Sequence, residues 1–141
     1  MRTIALRFSD NFAPKNGTIE EHKKIINSQG YVWYGKLGNK ISPKIFDLIL
    51  ANGPVKILLI KASSSERYWA TLENVSYEMQ SVHPDYYGRD AAYMNTWLKI
   101  TKIESADNNI LEKCIIPSTG SKLSDIYKKS MGSYFNIDVS I

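Results

Sequence analysis

The sequence predicts a mixed α+β fold, a curled mixed sheet or small β-barrel flanked by about three short helices. The first half alternates capped helical patterns with short strand-like runs, and the second half is rich in strands. The chain has 141 residues with a hydrophobic share of 43%, enough to bury the core of one domain. We therefore expect a single domain over residues 1–141, with the elements in the order β-α-β-α-β-β-β-β-α-β.

Local signals in the first half set the expected helix boundaries. Thr18 and Glu21 have the spacing of a capping box, and the helix that follows is predicted to stop at Gly30. Ser42 before Pro43 is a second start signal, because serine caps and proline tolerates the first helical position. The elements of this half are therefore strand 3–8, helix 18–30, strand 31–36 and helix 42–53.

The second half begins with the clearest hairpin in the chain. The run 55–62 (VKILLIKA) is apolar on both faces, as in a central strand, and the SSSE tetrapeptide turns it into an alternating strand. A polar, tyrosine-rich loop follows, and the last strand alternates up to Ile141. The elements of this half are strands 55–62, 67–79, 96–103 and 110–116, helix 121–131 and strand 133–141. Because the chain ends on an apolar strand residue, we expect it to be the N-terminal part of a longer protein.

Composition limits the classes of function. No apolar run approaches the ~20 residues of a membrane helix, and the start MRTIALRFSD is too short in apolar residues for a secretory signal. With Cys114 as the one cysteine, a disulfide framework is excluded and a cytoplasmic location is expected. The net charge of +4 permits an anionic partner without requiring one.

The stretch GYVWYGKL, residues 30–37, is one residue short of a phosphate-binding loop. Leu37 replaces the hydroxyl residue of that pattern, and the four residues between the glycines are bulky strand formers rather than small ones. Phosphate loops also place their lysine at the start of a helix, whereas a turn sequence follows Lys36. We therefore interpret Gly30 as a helix end and Gly35 as a turn after a short strand.

Catalytic and metal-binding patterns are weak. The tripeptide 83–85 (HPD) lacks the helical hairpin that accompanies it in co-chaperones, and His22 has no partner at metal-ligand spacing. Cys114 lies in an apolar strand and is expected to be a core residue. We therefore predict no catalytic residue, no metal and no cofactor.

Aromatic residues are the one unusual feature of the composition, with nine tyrosines and three tryptophans. An aromatic side chain in a strand is usually part of the core, and that interpretation fits much of this set. Some of these rings could instead line a pocket that stacks a planar base. The tyrosines at 86, 87 and 93 favour this, because a polar loop gives them little reason to be buried.

The order of motifs resembles the EVE branch of the PUA-like superfamily, relatives of the YTH readers of methylated RNA. The resemblance rests on segments along nearly the whole chain: 7–11 (RFSDN), the helix 18–26, 35–39 (GKLGN), the hairpin 55–75, 83–85 (HPD), 97–100 (WLKI) and the late helix 123–130. It implies a noncatalytic domain that binds nucleic acid and recognises a modified base. In the domains of this kind attached to McrB-type restriction enzymes, a base of duplex DNA is flipped into an aromatic pocket.

Carried onto this chain, the resemblance gives a set of expected contacts. The residues expected in the base pocket are Trp33, Trp69, Trp97, Tyr34, Tyr87, Ser9, Asp10 and Asn39. The residues expected to bind phosphate are Lys36, Lys40, Arg67 and Arg89. The partner would be nucleic acid, with modified DNA favoured over RNA, and an AAA+ or nuclease effector could follow the domain. An RNA-binding PUA-like domain and a nucleotide enzyme of the ASCH type are the alternatives.

Overall fold

The structure is a computed structural model, and it describes residues 1–140. Seven strands and three α-helices form the framework. In chain order they are β1 (Arg2–Phe8), α1 (Gly17–Gln29), β2 (Val32–Lys36), α2 (Pro43–Ile49), β3 (Val55–Lys61), β4 (Arg67–Ser76), β5 (Thr96–Ser105), β6 (Cys114–Ile115), α3 (Leu123–Ile126) and β7 (Tyr134–Val139). Two 3-10 helical segments, Asp85–Tyr93 and Ile110–Lys113, precede β5 and β6.

All seven strands belong to one curled mixed sheet in the order β2-β5-β4-β3-β1-β7-β6. β1 and β3 are parallel, with Ala5 beside Leu58, and every other pair is antiparallel. β2 and β6 are the edges, so the sheet stays open within residues 1–140 rather than closing as a barrel. The α+β class and the curled mixed sheet are therefore confirmed.

Hydrophobic cores lie on both faces of the sheet because β1 and β3 are apolar on both sides. Helices α1 and α2 cover one face, where Leu6, Leu59 and Phe46 are buried together. Helix α3 and the segment Ile110–Lys113 cover the other, and the buried Cys114 lies in that core as expected. A third, smaller cluster forms where the segment Asp85–Tyr93 packs near the edge strand β2.

The start of α1 is capped differently from the expectation. Asn16 makes no side-chain cap and Thr18 and Glu21 form no capping box. Instead the Thr18 amide donates to Asp10 Oδ1 (3.0 Å), and the Thr18 hydroxyl donates to the Ser9 carbonyl (3.2 Å). The loop after β1 thus folds back onto the helix, and a carboxylate from outside satisfies its free N–H group.

Three other boundaries differ from the expectation. Gly30 does end α1 in the left-handed conformation with φ of 86°, but Gly35 lies within β2, paired with Trp97, and is not a turn residue. The expected strand 110–116 is a 3-10 segment with a two-residue strand, because Ile110 and Leu111 pack against α3. The expected helix 121–131 is α-helical for only four residues. Within residues 1–140, no helix is long and apolar enough to cross a membrane.

Candidate nucleic-acid interface

An aromatic pocket of about 130 Å³ opens beside the edge strand β2, between the end of β1, α1 and the segment Asp85–Tyr93. We call it the β2-edge pocket. Its walls combine five phenylalanine and tyrosine rings with a few polar groups. The lining residues are Phe8, Ser9, Phe12, Ala13, Thr18, His22, Tyr34, Gly35, Leu37, Tyr86, Tyr87, Asp90 and Met94.

His22 is the centre of a closed hydrogen-bond network at the inner end of this pocket. Its Nδ1 lies 2.7 Å from the Thr18 carbonyl oxygen, which can only accept, so Nδ1 carries the proton. Nε2 therefore accepts from the Tyr87 hydroxyl at 2.6 Å, and the same Tyr87 oxygen accepts the Gly35 amide at 3.1 Å. Burial lowers the pKa of His22 to about 4, which keeps the ring neutral as the network requires.

Tyr34 also packs against the His22 ring, with the two ring centroids 4.9 Å apart. Its side chain is only 8% exposed, and that exposed part belongs to the wall of the pocket. Among residues 1–140 no group hydrogen-bonds to the Tyr34 hydroxyl. Burial raises the pKa of Tyr34, and the nearby Tyr86 and Asp10 raise it further, so the phenol keeps its proton.

At Gly35 the backbone of β2 lies close to side chains beside the pocket. A Cβ atom there would lie 2.1 Å from Met94 Sδ and 3.2 Å from Trp97 Cη2. Trp97 is fully buried and donates from Nε1 to the Met94 carbonyl at 3.2 Å. A side chain at this position would displace Met94 and crowd the buried Trp97, so packing rather than a positive φ favours glycine here.

The outer rim of the pocket is apolar. Phe12 is 84% exposed and Leu37 is 46% exposed, although both are large hydrophobic residues that fold burial would normally hide. Within the lining set, Asp90 is the one charged side chain at neutral pH, and neither lysine nor arginine contributes. The lining thus combines aromatic rings and apolar side chains with several polar groups and one negative charge.

A salt-bridge network fixes the loop that carries Ser9 and Phe12. Asp10 Oδ2 lies 3.1 Å from Lys61 Nζ, and Lys61 Nζ also contacts Glu66 Oε2 at 2.9 Å. Together with the bond from Thr18 to Asp10, these contacts tie the loop to α1 and to the β3–β4 hairpin. Hydrogen bonds from Thr18 and Lys61 hold the pKa of Asp10 below its usual value, outweighing the opposing effect of burial.

The structure brings together only part of the expected base-binding set. Ser9, Tyr34 and Tyr87 line the pocket, although the Tyr87 hydroxyl is already engaged. Asp10 lies behind the loop as a helix cap, and Asn39 is exposed in the turn after β2, where its carbonyl accepts from Lys36.

The three tryptophans lie outside the lining of the pocket. Trp97 has no exposed surface and supports Tyr87 from below, with their ring centroids 6.1 Å apart. Trp33 is half-buried in the same cluster, and its amide donates to the Val82 carbonyl. Trp69 packs against the core on the α3 side of the sheet.

The expected phosphate-binding residues are also dispersed. Lys36 is buried, and its ammonium donates to the carbonyls of Leu37 and Asn39, so it stabilises its own turn. Burial lowers its pKa. Arg67 lies in the β3–β4 hairpin, donating to the Ser64 and Glu66 carbonyls. Lys40 and Arg89 are exposed, and Arg89 adjoins the lining residue Asp90.

Several lining residues were not anticipated from the sequence, namely Phe8, Phe12, Thr18, His22 and Met94. Phe12 had a usable signal, since a phenylalanine among polar residues in a loop is not expected to be buried. His22 had none, because its helical spacing with Ile19 and Ile26 fits an ordinary core face. Within the described residues, no group of three His, Cys, Asp or Glu side chains could hold a metal ion.

Fold and site together define a small α+β domain with an aromatic binding pocket at a sheet edge. The chain matches the Pua-like family over residues 4–130, most of its length, and it belongs to that family. Pua-like domains are generally noncatalytic binding domains that typically bind nucleic acid. No curated protein matches the chain at a significant level.

Proposed function

We propose that this domain recognises a modified base of a nucleic acid, with duplex DNA as the favoured form, by holding the extruded base in the β2-edge pocket. The observation that carries the proposal is the wall of aromatic rings combined with an exposed apolar rim at Phe12 and Leu37. Aromatic rings stack on any base, and such stacking contributes roughly 1–3 kcal/mol per base. A base reaches a pocket of this kind only after leaving the duplex stack.

The size of the pocket supports a single ring system as its occupant. At about 130 Å³ it is well below the ~300–1,000 Å³ of pockets for drug-sized ligands. The apolar atoms of Phe12, Leu37 and Met94 would gain contact with an added methyl group, and burying that group removes apolar surface from water. Together with the resemblance to the EVE branch, this favours a methylated base over an unmodified one.

Contacts outside the pocket would come from the nucleic-acid backbone. Arg89 is exposed and can approach phosphate. Lys40 is also exposed, with its ammonium 4.4 Å from the centroid of the Tyr77 ring, whereas Lys36 is already bonded within its turn. Because phosphate contacts release counterions, binding should weaken as salt rises. Removing either exposed cation should reduce the salt dependence by about one counterion while leaving base preference unchanged.

The proposal assigns recognition and not catalysis to this domain. Both nitrogens of His22 are engaged in the network with Thr18 and Tyr87, so this ring is not available as a base. The one carboxylate of the lining, Asp90, is exposed and therefore lacks the burial that tunes an acid for catalysis. We further propose that residues 1–141 act as one targeting domain and that any catalytic effector is a separate domain.

The test compares Phe12→Ala with Met131→Ala as a matched control. Both residues are highly exposed, 84% and 95%, so neither change should alter stability by more than about 0.5 kcal/mol. Affinity is measured for duplexes carrying one 5-methylcytosine or N6-methyladenine, for the unmodified duplex, and for RNA of the same sequence. Phe12→Ala should lose about 1–3 kcal/mol of binding to the preferred probe, and Met131→Ala should lose none.

Two outcomes contradict the proposal. Equal affinity of folded Phe12→Ala and parent protein for the preferred probe would exclude the β2-edge pocket. Equal affinity of the parent for modified and unmodified duplexes would exclude recognition of a modification. A preference for the RNA over every DNA duplex would instead assign the domain to RNA binding through the same pocket.

A further inference from the structure

The Tyr34 hydroxyl has no hydrogen-bond partner among residues 1–140, although the residue is only 8% exposed. Its oxygen is not one of the fully buried atoms that lack a partner, so it keeps access to solvent. Because Tyr34 lines the β2-edge pocket, that access opens into the pocket. A ligand that fills the pocket excludes this solvent, and a hydroxyl left unpaired there costs about 1–3 kcal/mol.

Two neighbouring hydroxyl groups are already engaged by the fold. The Tyr87 hydroxyl donates to His22 and accepts from Gly35, so both of its bonding directions are used. The Thr18 hydroxyl donates to the Ser9 carbonyl. Neither is therefore as available to a ligand as the Tyr34 hydroxyl, which has no partner within residues 1–140.

A protonated phenol in this position can best serve as a donor. Phenolic oxygen donates strongly and accepts weakly, and the two carboxylates of this region, Asp10 and Asp90, do not bond to it. Asp10 is bonded to Thr18 and Lys61, and Asp90 is exposed. A ligand that places an acceptor atom against Tyr34 would therefore satisfy the hydroxyl.

We propose that Tyr34 is a specificity-determining residue that donates a hydrogen bond to a carbonyl oxygen or ring nitrogen on the edge of the bound base. This inference rests on the proposed function and adds a polar contact to it. A hydrogen bond from Tyr34 selects neutral planar bases that carry an acceptor atom on the inserted edge. Apolar rings of the same shape are rejected, because they leave the Tyr34 hydroxyl buried and unpaired.

The experiment uses Tyr34→Phe, which removes only the hydroxyl oxygen, and Tyr93→Phe as its control. Tyr93 is 75% exposed and lies outside the lining of the pocket. The probes are duplexes identical except at one central position. That position carries 5-methylcytosine, N6-methyladenine, an abasic site, or 2,4-difluorotoluene, a ring with the shape of thymine but without good acceptors.

The parent should bind at least one methylated-base duplex more tightly than the abasic duplex. Tyr34→Phe should reduce that advantage by roughly 3- to 10-fold, the worth of one hydrogen bond, and leave abasic binding unchanged. On the difluorotoluene duplex, Tyr34→Phe should bind more tightly than the parent, because it has no hydroxyl to leave unpaired. Tyr93→Phe should match the parent on every probe.

The experiment distinguishes a failure of the proposed function from a failure of the role of Tyr34. If the parent gains nothing from any base over the abasic site, the proposed function fails. If the parent shows that advantage and Tyr34→Phe keeps it, the function stands and the role of Tyr34 is wrong. An equal loss on the difluorotoluene duplex would also overturn the hydrogen bond, since that ring cannot accept it.

Discussion

Two tyrosines packed against His22 are in opposite chemical situations. The Tyr87 hydroxyl is bonded to His22 and to the Gly35 amide, and its ring is supported by Trp97. The Tyr34 ring lies 4.9 Å from the His22 ring, yet its hydroxyl has no hydrogen-bond partner within residues 1–140. One tyrosine therefore completes the fold, and the other leaves a polar group for a ligand.

This difference follows from the elements that meet at the edge strand. The segment Asp85–Tyr93 folds over β2 and brings Tyr87 onto the Gly35 amide, an edge N–H that would otherwise be unpaired. The loop after β1 holds Phe12 above the pocket without covering Tyr34, because Asp10 anchors that loop to α1 and Lys61. A closed network and an open pocket can thus share one histidine.

The largest expected effect is on stability and comes from Tyr87→Phe. The change leaves His22 Nε2 and the Gly35 N–H buried without partners, each costing about 1–3 kcal/mol, so we expect a loss of about 2–4 kcal/mol in the free energy of unfolding. Tyr34→Phe is the matched change and should shift stability by less than about 0.5 kcal/mol, because the Tyr34 hydroxyl makes no hydrogen bond within the fold and keeps access to solvent. Denaturant unfolding measures both, and equal losses would show that the two hydroxyls are not different.

The next effect is a dependence of stability on pH. The pKa of His22 is about 4 in the folded protein and 6.5 for an unperturbed histidine, with burial as the main cause. Between pH 6.5 and 4, His22 is therefore protonated in the unfolded chain and neutral in the folded protein. The contribution of neutral His22 to the free energy of unfolding is fully present above pH 6.5. About 3 kcal/mol of it is lost as the pH falls to 4.

His22→Gln provides the control because it does not titrate. The variant should be less stable than the parent at pH 7, since glutamine does not reproduce both hydrogen bonds of the imidazole. Carboxylates titrate alike in both proteins, so the stability difference between them isolates His22. That difference should shrink as the pH falls from 6.5 to 4, and a constant difference would mean that His22 is not held neutral.

Much of the framework was predictable from local sequence signals. The apolar run 55–62, the hairpin after it and the serine-capped helix at Pro43 form as expected, because each is determined by neighbouring residues. The α1 cap was not predictable, since Asp10 reaches Thr18 only after the loop folds back. The short 3-10 segment at Ile110 likewise depends on packing against α3.

The sequence predicted the aromatic character of the site better than it predicted which residues line it. The excess of tyrosine indicated an aromatic pocket, and Ser9, Tyr34 and Tyr87 line one. Trp97 and Trp69 illustrate what sequence cannot decide, because alternation places residues on a face without saying which element covers that face. Tyr34 and Tyr87 look alike in sequence, and only the three-dimensional arrangement separates the bonded hydroxyl from the unbonded one.

The most direct test of the central claim is to map amide chemical shifts on adding a duplex that carries a methylated base. The account predicts that the amides of Ser9, Gly35 and Leu37, which belong to lining residues, shift most and do so in a saturable way. On the opposite side of the sheet, Arg67 and Tyr127 line a separate groove of about 630 Å³ and should be unaffected. Shifts centred on that groove, with the β2-edge pocket unchanged, would contradict the account.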